Sequence, residues 1–274
     1  MPAYTTHDIR NIALVGQSGA GKTTLVEALL HRAGAIKTQG SIEQGSTVCD
    51  FDPQEKSYQH SLDSAVVYLE KDNTHINLLD APGLNDFFGR AFSILQAAET
   101  TAVVINAEAG IEPATLAMME HAKDDELCRM IIVNKIDAEN IDLEALTNQI
   151  RETFGNECLP LNLPAASGDK VLDCFFKLDG EATAFSSVAE AHTTTIDQVV
   201  EEDEALMEIY LEQGQELSPE QLHDPFEVAL REGHLVPICY VSAKTGAGID
   251  QLLKVMARLM PDPTEGNQPH FMKG

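Results

Sequence analysis

Short apolar runs alternate with amphipathic stretches along most of this chain. The runs have the length of buried strands and lie at residues 10–15, 74–79, 103–106, 130–133 and 235–241. The stretches between them repeat apolar residues at helical spacing, and they predict helices at residues 22–32, 89–98, 113–124, 142–154 and 249–260. Strands that alternate with helices favour an α/β fold, in which a mostly parallel sheet carries helices on both faces.

An insertion interrupts this alternation late in the chain. About 105 residues separate Asp137 from Ser242, where a minimal α/β domain needs one helix and one strand. The surplus is acidic, with 18 Asp and Glu against 3 Lys and Arg between residues 155 and 233, and such a shift suggests a separate unit. We therefore predict a core domain at residues 1–154 and 235–262. An inserted subdomain is expected at residues 155–234, and a linker to a further domain at residues 263–274.

The insertion carries both strand and helix patterns, which predicts an α+β subdomain. Two apolar runs, 158–163 and 171–178, are typical of strands. Apolar residues then recur at helical spacing over residues 196–210. A Ser-Pro-Glu-Gln sequence at 218–221 combines a capping box with proline at the first helical position, and it predicts a second helix that ends near residue 233.

Charge and cysteine content narrow the classes of partner. The net charge of −26 opposes tight duplex nucleic-acid binding by this chain alone, because such affinity comes largely from Lys and Arg that neutralise phosphates. No apolar run approaches the roughly 20 residues of a membrane-spanning helix, so no membrane contact is expected. The five cysteines are widely spaced, which is typical of free thiols in a reducing compartment. We expect a cytoplasmic monomer.

A glycine-rich sequence, GQSGAGKTT at residues 16–24, separates the first predicted strand from the first helix. It matches G-x-x-x-x-G-K-[ST], so the α/β fold is predicted to be a P-loop NTPase. The glycines let backbone N–H groups face phosphate oxygens, and the helix N-terminus behind them favours an anion. Lys22 is expected on the β- and γ-phosphates, and the Thr23 hydroxyl on Mg²⁺. The predicted phosphate-binding residues are Gln17, Ser18, Gly19, Ala20, Gly21, Lys22, Thr23, Thr24 and, from the next motif, Gly83.

A second motif, Asp-Ala-Pro-Gly at 80–83, follows the predicted strand at 74–79. A carboxylate at the carboxyl end of a strand can hold Mg²⁺ through water, and the N–H of a glycine after proline can meet a γ-phosphate. The pattern alone is also a common turn. Its position downstream of a phosphate loop makes Asp80 a candidate metal-binding residue.

The nucleotide base is indicated by an Asn-Lys-Ile-Asp sequence at 134–137, directly after a predicted strand. The Asp137 carboxylate can accept both N1–H and the 2-amino group of guanine, two donors that adenine lacks, and such a site discriminates strongly. Asn134 can bond the base edge and brace the phosphate loop, while the stem of Lys135 can cover the base. This motif disfavours a kinase that uses ATP or a metabolite on the same loop.

A Ser-Ala-Lys sequence at 242–244 follows the last predicted strand and completes the base site. The Ala243 N–H is expected to donate to guanine O6, and Lys244 to stack on the base. GTP or GDP with Mg²⁺ is the predicted ligand. The predicted guanine-binding residues are Asn134, Lys135, Asp137, Ser242, Ala243 and Lys244.

Taken in order, these motifs resemble the GTP-binding domain of the translational GTPases, and more narrowly that of elongation factor G and its elongation-factor-G-like paralogues. The resemblance covers most of the chain, and it implies GTP hydrolysis gated by a ribosome. Beyond the four motifs, it rests on residues 10–12, on Asp86 and Phe87, on 43–47 with Asp50, and on 110–113.

One departure from the family's pattern lies in the first switch loop. Elongation factor G carries Arg-Gly-Ile-Thr there, whereas this chain has Gln59, His60 and Ser61, with Ser61 at the position of the Mg²⁺-binding threonine. A serine hydroxyl can serve as that ligand. The predicted metal-binding residues are therefore Thr23, Ser61 and Asp80.

A second departure is Leu84. The family has histidine after D-x-P-G, where it positions the attacking water, and leucine offers neither a donor nor an acceptor. No residue is assigned as the catalytic group, and the candidates are His60, Asn85 and Asp86. The domain is thus predicted to be a GTPase that is slow without the ribosome, or alternatively a GTP-binding switch with little intrinsic hydrolysis.

The acidic insertion occupies the place of the inserted subdomain of elongation factor G, which in that family helps meet ribosomal stalk proteins. The resemblance therefore implies the ribosome as a partner, with stalk proteins reached through the insertion. A Glu-Glu-Asp-Glu run at 201–204 is either a solvated helix face or part of that docking surface.

Overall fold

Seven strands form the central sheet of this computed structural model, which describes residues 4–178, 180–213, 217–218 and 221–267. In chain order the strands are β1 (Ile9–Val15), β2 (Ala65–Lys71), β3 (Thr74–Asp80), β4 (Thr100–Asn106), β5 (Cys128–Asn134), β6 (Cys158–Pro160), β7 (Asn162–Pro164), β8 (Val171–Asp173) and β9 (Val236–Tyr240). The sheet order is β2-β3-β1-β4-β5-β9-β6, and every neighbouring pair is parallel except β2 with β3. Strands β7 and β8 form a separate antiparallel ribbon.

Helices cover both faces of this sheet. They are α1 (Lys22–Arg32), α2 (Pro53–Tyr58), α3 (Phe88–Leu95), α4 (Pro113–Asp124), α5 (Leu143–Phe154), α6 (Val188–Val200), α7 (Glu204–Gln213), α8 (His223–Glu232) and α9 (Ile249–Arg258). Side chains of β1 alternate between the two cores: Ile12 and Leu14 pack with α1 and α9, whereas Ala13 and Val15 pack with α3, α4 and α5. The predicted α/β fold with a mostly parallel sheet is confirmed.

The five predicted strands and five predicted helices of the core are present, with ends that differ by a few residues. Strand β2 and helix α2 were not predicted. Strand β2 lies at the edge of the sheet, and its outward side chains Val66 and Tyr68 are apolar yet exposed, so its sequence lacks a clear alternation of apolar and polar residues. Helix α2 has only six residues, which is too short to show helical periodicity. None of the described helices combines the length and the apolar character that crossing a membrane requires.

The insertion differs from its predicted elements at several points, and the strand predicted at 171–178 is limited to β8, Val171–Asp173. The run at 158–163 contains two strands, of which β6 pairs with β9 at the edge of the central sheet. The helical pattern at 196–210 belongs to two helices, α6 and α7, and α6 begins earlier, at Val188. The chain is interrupted between α6 and α7 because the Asp203 carboxylate accepts the N–H groups of Ala205 and Leu206, at 2.8 and 3.0 Å, and so caps the N-terminus of α7.

The second helix predicted in the insertion begins later than its capping box. Ser218 and Gln221 exchange the two hydrogen bonds of such a box, yet α8 starts at His223 and ends at Glu232, beside the predicted end. Pro219 and Glu220 lie outside the described residues. So do residues 268–274 of the predicted linker.

Candidate functional site

The carboxyl ends of β1, β3, β5 and β9 meet at one edge of the sheet, beside a pocket of about 1000 Å³. Most of the predicted site residues line it: Ser18, Gly19, Gly21, Lys22, Thr23, Thr24, His60, Ser61, Gly83, Asn134, Lys135, Asp137, Ala243 and Lys244. Four more lie directly behind its wall, namely Gln17, Ala20, Asp80 and Ser242, and all four are buried. The four motifs, far apart in sequence, therefore share one cavity.

The phosphate loop depends on glycine where it meets its neighbours. Gly21 has a φ of 85°, in the left-handed region, and a Cβ there would lie 2.7 Å from the amide nitrogen of Asn134. Gly83 lies so close to Lys22 that a Cβ would overlap the ammonium group. Both positions hence require a residue without a side chain.

Lys22 is held inside the loop that it follows. Its ammonium donates to the carbonyl oxygens of Gly16 and Gln17, at 2.8 and 2.9 Å. Burial lowers the pKa of Lys22 to about 8, an effect that the nearby Asp80 carboxylate opposes. A phosphate at this point would favour the charged form, because an opposite charge offsets the cost of desolvation.

Oxygen atoms from three segments converge below the loop. The Thr23 hydroxyl donates to Asp80 Oδ2 at 2.7 Å and lies 3.2 Å from the Ser61 hydroxyl oxygen. The other oxygen of Asp80, Oδ1, is buried and has no partner at hydrogen-bond geometry among the described residues, although the Cys49 thiol lies near this carboxylate. Burial raises the pKa of Asp80 to about 6, a shift that the Thr23 hydroxyl and the nearby Lys22 ammonium oppose.

This oxygen set fits Mg²⁺. Magnesium prefers oxygen ligands in octahedral geometry at about 2.1 Å, which places neighbouring ligand oxygens about 3.0 Å apart. The Thr23 and Ser61 hydroxyl oxygens are 3.2 Å apart, close to that edge. The orphaned Asp80 Oδ1 adds a buried acceptor that a cation or its bound water would satisfy.

The base side is built by hydrogen bonds between strand ends. Asn134 donates through Nδ2 to the carbonyl of Ala20 at 2.9 Å and accepts at Oδ1 from the N–H of Ala243 at 3.1 Å. Ser242 donates its hydroxyl to Asp137 Oδ1 at 2.6 Å. Asn134 thereby connects the phosphate loop to the base site, and the Ala243 N–H, expected on guanine O6, faces Asn134 in this structure.

The comparison with protein families decides whether this pocket belongs to a translational GTPase or to a kinase built on the same phosphate loop. The family model described as "Elongation factor Tu GTP binding domain" matches residues 7–262. The chain belongs to this family. The predicted membership among the translational GTPases is confirmed, and GTP is the nucleotide that the family's description names.

Relatives of this GTP-binding domain include an elongation factor G-like protein and a ribosome-releasing factor. It is 34% identical over 275 residues to an elongation factor G-like protein of Mycobacterium tuberculosis, a match that covers 95% of this chain and 38% of that protein. It is 27% identical to the mitochondrial ribosome-releasing factor 2 of Culex quinquefasciatus, again over 95% of this chain and 38% of the relative.

A solved structure supports the same assignment. A crystal structure of a Thermus thermophilus protein superposes with a TM-score of 0.83 and 35% identity, over 94% of this chain and 41% of the other. The domain thus spans about two fifths of the length of the proteins that it matches.

The three candidates for the catalytic group fall in different places. His60 lines the pocket. Asn85 and Asp86 lie in the short 3₁₀ helix Asn85–Phe87, where both side chains are exposed and neither lines the pocket. Leu84 precedes this helix and is half-buried.

Three buried carboxylates on α1 and in the segment that follows it were assigned no role from the sequence: Glu27, Asp50 and Glu55, which are 0%, 3% and 2% exposed. The sequence held a partial signal for Glu27, since it is a charged residue inside the otherwise apolar run of α1. A further contact that the sequence did not predict involves Gln17, whose side-chain oxygen accepts a hydrogen bond from the Thr115 hydroxyl at 2.6 Å.

Proposed function

We propose that this domain binds GTP and GDP with Mg²⁺ and hydrolyses GTP, as the GTP-binding domain of an elongation-factor-G-like translation factor that acts with the ribosome. The observation that carries the proposal is the shared pocket. One cavity joins a phosphate loop, a set of oxygen ligands for Mg²⁺ and a carboxylate suited to guanine. The names of the relatives support the translational role.

Bound Mg²⁺ would neutralise charge on the β- and γ-phosphates and fix their orientation. Thr23, Ser61 and Asp80 are the residues that would hold it. Lys22 adds a buried cation beside the same phosphates, and the Gly83 N–H can meet the γ-phosphate. Catalysis by such a site comes mostly from positioning and charge stabilisation.

Guanine selection is assigned to Asp137. Its Oδ1 is fixed by the Ser242 hydroxyl at 2.6 Å, which holds the carboxylate in one orientation at the pocket wall. An adenine base offers neither the N1–H nor the 2-amino donor of guanine, so it would forgo both hydrogen bonds to this carboxylate, and that loss discriminates by orders of magnitude. Lys135 and Lys244, which also line the pocket, are proposed to cover the two faces of the base.

The test is a pair of measurements on this chain. Titration with fluorescent GTP, GDP and ATP in Mg²⁺ should show tight binding of the guanine nucleotides alone. Phosphate release from GTP should rise when ribosomes are added. Equal affinity for ATP and GTP would refute the assignment of the base site.

The alternative is a GTP-binding switch that hydrolyses little. It is favoured by one observation: Leu84 offers no polar group, while Asn85 and Asp86 are exposed outside the pocket. Of the three candidates, His60 alone lines the cavity. Tight GTP binding with no phosphate release on ribosomes would establish the switch and exclude the enzyme.

The domain organisation and the partners of the insertion also belong to this proposal. We keep residues 155–234 as the acidic subdomain, with stalk proteins as its partner, 263–274 as the linker, and a cytoplasmic monomer as the state of the chain. Part of the 201–204 run has a local structural role: Glu202 pairs with His234 at 2.7 Å and Asp203 caps α7. Binding of isolated stalk protein to this chain, lost on reversing charges at Glu201 and Glu204, would test the docking role.

A further inference from the structure

The three buried carboxylates organise the loop between α1 and β2, residues 33–64: Glu27 connects it to α1, and Asp50 and Glu55 hold it together from within. It contains one short helix, α2, and it supplies Ser61 to the pocket. A carboxylate taken out of water is costly unless hydrogen bonds replace its hydration. Glu27, Asp50 and Glu55 each meet that condition by accepting hydrogen bonds from this loop.

Glu27 anchors the first part of the loop. It lies on α1, five residues after Lys22, and its carboxylate accepts the N–H of Gly40 at 2.7 Å and the N–H of Val48. Both oxygens are therefore occupied by backbone donors of the loop. The segment from residue 40 to residue 48 is fixed to the helix that starts at the phosphate loop.

Glu55 fixes the backbone next to Ser61. Its Oε1 accepts the N–H groups of Leu62 and Asp63, at 3.0 and 3.2 Å, and its Oε2 accepts the N–H of Asp52 at 3.1 Å. The two residues that follow Ser61 are consequently held by one buried side chain.

Asp50 holds the side chain of Ser61 itself. The Ser61 hydroxyl donates to Asp50 Oδ1 at 2.7 Å, and the Thr47 hydroxyl donates to Asp50 Oδ2 at 2.9 Å. A hydroxyl has one hydrogen and two lone pairs. Since Thr23 donates its hydrogen to Asp80 and Ser61 donates to Asp50, both hydroxyl oxygens keep lone pairs for a cation.

We propose that Asp50 and Glu55 are positioning residues that present Ser61 to Mg²⁺ in the triphosphate-bound state, an inference that rests on the proposed function. Serine needs such support more than threonine does, because a β-branched side chain restricts its own χ1 rotamers. Asp50 selects the rotamer and takes the hydroxyl hydrogen, while Glu55 fixes the backbone that carries the residue.

The first test is Asp50→Asn in this 274-residue chain. An amide has one acceptor oxygen for two hydroxyl donors, and the charge that strengthens both bonds is lost. The dissociation rate of fluorescent GTP at limiting Mg²⁺ should rise about tenfold, the equivalent of one charge-assisted hydrogen bond. The rate for GDP should change by less than about twofold, because switch loops are ordered by contacts with the γ-phosphate and Mg²⁺.

Asp52→Asn is the matched control. It makes the same chemical change two residues away, on an exposed side chain that caps α2, and asparagine caps helices as well as aspartate does. The dissociation rates of both nucleotides should stay at the wild-type value. Glu55→Gln is a second, independent variant and should accelerate GTP dissociation as Asp50→Asn does.

A double-mutant cycle decides whether Asp50 acts through Ser61. Ser61→Ala alone should accelerate GTP dissociation, and adding Asp50→Asn should then have no further effect, since the residue through which it acts is gone. Ser61→Thr should recover part of the loss in the Asp50→Asn background. Additive effects, or an equal loss of GDP and GTP binding, would overturn the positioning role.

Failure of the proposed function has a different signature. A wild-type chain that does not bind GTP in the presence of Mg²⁺ removes the proposed function and this inference together. A wild-type chain that binds GTP with Mg²⁺ dependence, combined with an additive cycle, removes the inference alone.

Discussion

The base side of the pocket stands on the ends of β5 and β9, whereas the side proposed to face the γ-phosphate takes Ser61 from a long loop. On the base side, Asn134 and Asp137 follow one buried strand, and Ser242 and Ala243 follow its neighbour. Their hydrogen bonds join residues that the sheet already brings together. On the γ-phosphate side, Ser61 is reached only through the loop at residues 33–64.

Under the proposed function, this difference separates recognition of the base from the response to the γ-phosphate. Side chains on the ends of a parallel sheet are placed by the core, so their geometry changes little between ligand states. Loop residues are held by a few hydrogen bonds, and elements that respond to a ligand are drawn from such regions of low local stability. Under the same proposal, the base side is thus suited to constant nucleotide selection, and the loop side to reporting the γ-phosphate.

The largest expected effect is that of Lys22→Ala, which removes the buried cation of the phosphate loop. Truncating one partner of a buried, hydrogen-bonded charge pair costs several kcal/mol, so the affinity for GTP should fall about 1000-fold. Equilibrium titration with fluorescent GTP measures it. Lys37→Ala, on an exposed side chain of the loop, is the control and should bind normally; an unchanged dissociation constant for Lys22→Ala would refute the assigned role.

The second prediction isolates the base side. Asp137→Asn replaces an acceptor of two donors by an amide that can donate, so GTP affinity should fall about 100-fold and xanthine nucleotides should bind in preference. Competition between GTP and XTP measures the shift. Asp142→Asn keeps a helix cap at α5 and should retain guanine selectivity. A variant of Asp137 that still prefers GTP would place the specificity elsewhere.

The same contrast explains what could be predicted from the sequence. The base-side residues follow buried apolar runs directly, so periodicity and motif together placed Asn134 and Asp137 at the pocket. The contacts that hold the loop at residues 33–64 were not predicted, because Asp50 lies 11 residues from Ser61 and Glu27 meets Val48 across 21 residues. No periodic pattern encodes such contacts. The break before α7 was missed for a similar reason, since a single side chain, Asp203, creates it.

A third prediction concerns the loop side and the proposed hydrolysis. Removing a water-positioning group typically costs about 10²–10³ in rate, so Leu84→His should raise ribosome-stimulated turnover by about tenfold or more. GTP affinity should not change, because Leu84 carries no polar group for the bound nucleotide. Single-turnover phosphate release on ribosomes measures the effect. A fast wild-type rate that Leu84→His leaves unchanged would show that the leucine is no handicap.

The smallest expected effect tests how far the core supports the phosphate loop. The Thr115 hydroxyl, buried on α4, donates to the side-chain oxygen of Gln17 at 2.6 Å, and Gln17 accepts the Lys22 ammonium through its carbonyl. Thr115→Val keeps the shape but removes one buried hydrogen bond, worth about 1 kcal/mol, so GTP and GDP affinities should both fall about fivefold.

Thr195→Val is the matched control, since it removes the hydroxyl of another buried helical threonine, which donates to the Ala191 carbonyl within the insertion. It should lower the thermal unfolding midpoint by a similar amount and leave nucleotide affinity intact. If both variants weaken binding alike, the effect is a general loss of stability, and the support of the phosphate loop by Thr115 is refuted.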